Sequence, residues 1–174
     1  MNLNLQSTDF ELFGVPERFA QDSQALDARW KELQREAHPD RFAAQGGAAQ
    51  RVAMQWSVRI NEAYRRLKNP LQRAAYLCEL RGAPIDAQNN TSMPAKFLIE
   101  QMEWREALDE ADGEAALDVL DRQLKEARRD VLHDIQDLLD RQGDAAGAAR
   151  QVRALMFIER FGQDVQERFD QLGQ

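Results

Sequence analysis

The sequence predicts an all-α protein in two parts, a helical hairpin followed by a three-helix bundle. Apolar residues recur every three or four positions through most of the 174 residues, the repeat of a single helical face. No stretch alternates apolar and polar residues for long enough to form a strand. Proline, glycine and asparagine gather where one periodic run stops and the next begins, above all in the segment 81–94, RGAPIDAQNNTSMP. These breaks divide the chain into residues 1–78, a connecting segment 79–94 and residues 95–174.

In chain order, Phe10, Leu12 and Phe13 precede Gly14, Val15 and Pro16, a short apolar helix or turn placed to close one end of the hairpin. Asp22 or Ser23 can cap the next helix, whose apolar residues Leu26, Trp30, Leu33 and Ala37 define its inner face. Rotation by about 100° per residue sets Lys31 and Arg35 opposite that face, with Arg29 on its flank. Pro39 restrains His38 from helical geometry, so RFAAQGG is expected to be a loop. A second helix is expected from about Ala48 to Lys68, burying Val52, Trp56, Ile60, Ala63, Tyr64 and Leu67. Asn69 and Pro70 then break the chain before the short helix LQRAAYLCEL.

Three longer helices follow, at about 94–111, 113–142 and 145–172. The middle one carries the stripe Leu117, Leu120, Leu124, Val131, Ile135, Leu138 and Leu139. The last carries Val152, Leu155, Ile158, Val165, Phe169 and Leu172. The first has two stripes where a bundle member needs one. Phe97, Trp104, Leu108 and Ala111 form its core face, while Ile99, Met102, Glu103, Glu106 and Glu110 collect on the opposite side with Leu98 at the edge. The three glutamates stand three and four residues apart with no base in their row, which disfavours an isolated helix. A protein-docking face and an acidic solvated face with an exposed aliphatic pair fit this pattern equally well.

Composition narrows the function classes. There are 23 Lys and Arg against 30 Asp and Glu, a net charge of −7, which argues against a nucleic-acid partner. The charge is uneven: residues 1–78 hold 11 bases and 9 acids, or +2, and residues 79–174 hold 12 and 21, or −9. Partners of differing charge are therefore expected. A single cysteine, Cys78, excludes an intrachain disulfide and a cysteine-ligated cluster. The two histidines, His38 and His133, lie 95 positions apart, and neither follows a glutamate by three residues, so no metal or cofactor is expected. The opening MNLNLQSTDFELFG has neither a basic leader nor an apolar run, and no apolar stretch approaches the roughly 18 residues of a spanning helix. A cytoplasmic monomer with no membrane partner is the expectation. An α-helical enzyme using carboxylates such as Glu103 and Glu106 is the least favoured class.

His38-Pro39-Asp40 combines a stiff proline with two outward polar side chains, a geometry suited to docking more than to catalysis, and no Ser or Cys nucleophile accompanies it. Together with DFELFGVP before it and INEAYRRLKNPLQRAAYL after it, this tripeptide resembles the J-domain of DnaJ-type co-chaperones. With KFLIEQMEWREALDE and VRALMFIERF added, nearly the whole chain resembles the HscB family, J-domain co-chaperones of iron–sulfur cluster assembly. The resemblance implies a protein with no catalytic site of its own that stimulates the ATPase of an HscA-type, DnaK-class heat-shock chaperone and delivers the scaffold protein IscU to it. By the same resemblance His38, Pro39 and Asp40 are the trigger, with Lys31, Arg35, Arg29 and Arg41 as complementary charge. Leu98, Ile99, Met102, Glu103, Glu106, Glu110 and Phe157 match the scaffold-binding positions. Phe157, beside Leu155 and Ile158, also fits a core position, and a J-domain co-chaperone serving a different client stays open.

Overall fold

A computed structural model describes residues 3–173, and among these every regular element is a helix. The chain divides into two units, one ending at Tyr76 and one beginning at Leu77.

In the first unit, α1 (Asp9–Phe13) starts where Thr8 Oγ1 accepts the Glu11 N–H at 3.1 Å. It stops at Gly14, whose φ of 64° lets its own N–H turn back to the last carbonyls. Asp22 caps α2 (Ser23–Glu36) by accepting from the Gln24 and Ala25 N–H groups. α3 (Gly47–Lys68) returns antiparallel, since Trp30 meets Asn61, Gln34 meets Ser57, and Ser23 meets Lys68. The core is Phe10, Leu12, Phe13, Leu26, Leu33, Ala53, Ile60, Ala63 and Leu67, all below a tenth exposed. Val52, expected inside, is 51% exposed, and Ala53 takes the inner place. Ala53 lies two turns below Ile60, whereas Val52 is rotated a further 100° or so off that line. The stretch after His38, expected as a loop, is a 3-10 helix over Pro39–Gln45. The tighter repeat leaves no apolar period to read.

A buried ion cluster ties the N-terminal segment to α3. The Asp9 carboxylate is wholly buried and accepts from Arg59 Nη2 at 2.7 Å, from Arg66 Nη2 at 2.8 Å and from Arg66 Nε. Arg59 also donates to the Leu5 and Ser7 carbonyls. Arg66 lies 4.0 Å over the Tyr76 ring, and the Tyr76 hydroxyl accepts the Asp9 N–H at 3.0 Å. The hydrogen bond to Asp9 holds the Arg66 pKa above its ordinary value.

α4 (Pro70–Leu80) spans the division between the units. In the second unit α5 (Ala95–Glu110), α6 (Glu114–Gln136) and α7 (Ala145–Leu172) bury Leu117, Leu120, Leu124, Ile135, Leu139, Val152, Leu155, Ile158 and Val165. α6 runs on into a wider π turn, Asp137–Gln142, closed by Gly143 at φ 65°. Leu172, expected in the α7 stripe, is half-exposed in the helix's terminal turn. The buried Arg153 of α7 donates to the carbonyls of Ile85, Ser92 and Pro84, fastening the irregular segment that leads into α5. No helix among the described residues is long and apolar enough to cross a membrane.

Removing the Asp9 carboxylate strands two guanidinium groups that are largely buried. Asp9→Ala is expected to lower the unfolding free energy of the first unit by about 3–5 kcal/mol, read from the denaturant midpoint. An unchanged midpoint contradicts the cluster's role.

Candidate partner-docking sites

The first site is the turn between α2 and α3. His38 stands at the N-terminus of the 3-10 helix with extended backbone, φ −64° and ψ 128°, and its Nδ1 accepts the Asp40 N–H at 3.2 Å. Pro39 occupies the first helical position, where its missing N–H costs nothing. The Arg41 N–H returns to the His38 carbonyl at 3.0 Å, and its guanidinium Nη1 reaches the Arg35 carbonyl at 3.2 Å. The turn is thus closed by its own backbone while the Asp40 side chain stays 90% exposed and the His38 ring 57%. The polar ends of this tripeptide are offered to solvent.

What carries the turn is a polar clamp inside the hairpin. Asn61 Oδ1 accepts from Trp30 Nε1 at 2.9 Å and from Gln34 Nε2 at 2.6 Å, and the Ser57 hydroxyl donates to Gln34 Oε1 at 2.9 Å. Lys68 Nζ joins Asp27 at 2.7 Å farther down, with the Tyr64 hydroxyl donating to the same carboxylate. These hydrogen bonds keep the Asp27 pKa below the usual carboxylate value, Lys68 being the larger cause. Each partner is about one helical turn from the next, so the register of α2 on α3 is set along its length. Lys31 and Arg35 are exposed, and among the described residues neither makes an ion pair. Arg29 pairs with Glu32 at 3.1 Å, and Arg41 is engaged with the Arg35 carbonyl, which leaves Lys31 and Arg35 the freer charges.

The second site is the outer face of α5, whose rotation is set by aromatic packing. Phe97 meets Trp104 edge-on at 5.6 Å and Phe157 edge-on at 5.8 Å, while Phe161 stacks against Phe157 at 5.7 Å and Trp104 at 6.4 Å. With Phe97 and Trp104 turned inward, Leu98, Ile99 and Met102 must face out, and they are 47%, 62% and 73% exposed. Glu103, Glu106 and Glu110 continue that face, exposed and without an ion pair among the described residues. Phe157 is half-buried, its ring shared with the cluster and its face covered by Arg105 at 5.3 Å. It stands at the border between the inner rings and the outer surface.

No cluster of three or more His, Cys, Asp or Glu side chains that could hold a metal ion occurs among the described residues. Cys78 is fully buried, and desolvation pushes its thiol up to about 11, which keeps it inert. Three arginines beside Phe157, namely Arg105, Arg153 and Arg160, escaped the sequence reading. The available signal was Arg105, the one base between Glu100 and Asp121.

Residues 93–166 match a family model described as the HSCB C-terminal oligomerisation domain. A protein of Cupriavidus taiwanensis named Co-chaperone protein HscB homolog is 49% identical over 99% of both chains. Among solved structures, chaperone HscB from Vibrio cholerae superposes with a TM-score of 0.80 at 38% identity, over 95% of this chain and 99% of that one. Human co-chaperone protein HscB gives 0.86 at 26% identity, over 95% and 84%.

The two faces of α5 separate stability from surface chemistry. Trp104→Ala is expected to cost about 3–5 kcal/mol in unfolding free energy, and Met102→Ala to stay within about 0.5 kcal/mol of the unaltered protein. Equal losses in the two variants contradict the assigned rotation.

Proposed function

The chain belongs to the HscB co-chaperone family, and from that premise we propose that it is a two-site bridge in iron–sulfur cluster assembly. The His38-Pro39-Asp40 turn, with Lys31 and Arg35 and with Arg29 and Arg41 at its margins, docks on the ATPase portion of an HscA-type chaperone in the cytoplasm and stimulates hydrolysis there. The α5 face, comprising Leu98, Ile99, Met102, Glu103, Glu106 and Glu110 with Phe157 at its border, holds the scaffold protein IscU. The chain itself performs no chemistry. Its contribution is to hold scaffold and chaperone at high mutual concentration while the turn promotes the hydrolysis that closes the chaperone on its client.

The observation that carries this reading is α5. A helix already committed to the core through Phe97 and Trp104 displays three exposed apolar side chains running into three carboxylates that form no ion pair among the described residues. Like charges three and four residues apart weaken a helix, and exposed aliphatics contribute nothing to folding. A partner with an apolar patch beside a basic one removes both penalties together. At the other site, the exposure of Asp40 and His38 on a self-closed turn supports recognition of a preformed shape, with little ordering cost on binding.

Steady-state ATP turnover by an HscA-type chaperone, with and without IscU, tests the reading. Addition of this chain is expected to raise turnover, and Asp40→Asn to abolish the increase. Combined Met102→Ala and Glu106→Ala substitution is expected to weaken IscU binding at least about tenfold, or ~1.4 kcal/mol, in calorimetry while leaving the scaffold-independent stimulation intact. Turnover that does not respond to the unaltered chain overturns the proposal.

A further inference from the structure

Beside Phe157 lies a pocket of about 160 Å³, bounded by Met93, Met156 and Phe157 together with Arg153 and Arg160. Two bases and no acid face it, although residues 79–174 carry a net charge of −9. Arg153 is only 6% exposed, and its three hydrogen bonds go to the Ile85, Ser92 and Pro84 carbonyls, so no carboxylate among the described residues pairs with it. Both of its terminal nitrogens keep an N–H beyond those bonds. Arg160 is exposed at the pocket and makes no ion pair among the described residues. A buried guanidinium satisfied only by carbonyl dipoles, with a second guanidinium beside it, is an unfilled demand for negative charge.

The dimensions select the ligand class. Drug-sized ligands and cofactors occupy roughly 300–1,000 Å³, well above this volume, whereas a carboxylate on a short aliphatic stem fits within it. Met93, Met156 and Phe157 supply the apolar wall for such a stem, and Asn90 and Thr91 supply polar groups at the side. The pocket also shares Phe157 with the α5 docking border, where Arg105 covers the same ring. We propose that this pocket receives one carboxylate side chain, a glutamate or aspartate, from the protein that docks on α5. The inference rests on the docking reading above and adds to it a polarity. The partner presents bases to the Glu103, Glu106 and Glu110 row and a single acid to Arg153 and Arg160, so the complex has one permitted orientation.

Two measurements on the full chain decide it. Glutarate, as a probe for the side-chain carboxylate, is titrated at constant ionic strength while the backbone amide resonances of Met156, Phe157 and Arg160 are followed. Saturable shifts are expected, with affinity reduced at least threefold in Arg160→Gln. In parallel, Arg160→Glu is expected to weaken IscU binding five- to tenfold, whereas Arg150→Glu, an exposed reversal on the same helix outside the pocket, changes it less than twofold. A flat or non-saturating glutarate response, or equal effects of the two reversals, overturns the pocket assignment. Failure of the unaltered chain to bind IscU overturns the docking reading itself.

Discussion

The packing of four aromatic rings, Phe97, Trp104, Phe157 and Phe161, is the constraint on which the second unit's surface depends. Ring pairs at 5.6 to 6.4 Å admit few rotations of α5 about its axis. Once Phe97 and Trp104 are inside, helical geometry carries Leu98, Ile99 and Met102 out to solvent whether or not exposure suits them. The outer face is therefore a product of the core. A partner surface placed on such a helix is held as rigidly as the interior beneath it, and little conformational freedom is lost when it is used. Arg153 adds a second fastening at the N-terminal approach to α5, since its guanidinium holds the carbonyls on either side of that segment.

The first unit reaches rigidity by a different route. Its hairpin is joined by a ladder of polar contacts, Gln34 and Trp30 on Asn61 and Lys68 and Tyr64 on Asp27, laid over an apolar core. The Asp9 cluster locks α1 and the residues before it onto α3. The Asp9 carboxylate is wholly buried and the ladder groups are half-buried. Such polar contacts add less stability than apolar packing of equal volume, but their geometry favours one register. The consequence for function is geometric. The His38-Pro39-Asp40 turn departs from the end of α2 at a place set by that register, and its own hydrogen bonds shape it before any partner arrives.

Much of this was legible in the sequence, and the remainder was hidden for identifiable reasons. The all-α class follows from the helical apolar spacing and the lack of strand-like alternation, and the double stripe of α5 follows from rotating its residues by the helical angle. Val52 and Ala53 show where that method weakens: hydrophobicity favours the valine, but the phase set by Ile60 favours the alanine. The 3-10 helix after His38 and the π turn after Gln136 have no apolar period of their own, so neither could be read. Asp9 and Arg153 were invisible for a deeper reason. A charged residue in a linear pattern reads as solvated, and the groups that bury it come from 50 to 69 positions away. The pocket beside Phe157 inherits that blindness, because its lining comes from two distant segments.

Together the two units describe a protein whose surfaces are prepared by opposite means, a polar-clamped turn with basic flanks and an aromatic-clamped helix with an acidic row. If the chain is the proposed bridge, both surfaces must act from one molecule. ATP turnover by an HscA-type chaperone in the presence of IscU, measured with an equimolar mixture of the Asp40→Asn chain and the Met102→Ala, Glu106→Ala chain, tests it directly. Each variant keeps one working surface. The mixture is expected to fall well short of the stimulation produced by the unaltered chain, because neither variant can place scaffold and turn on the same chaperone. Full stimulation by the mixture would contradict it.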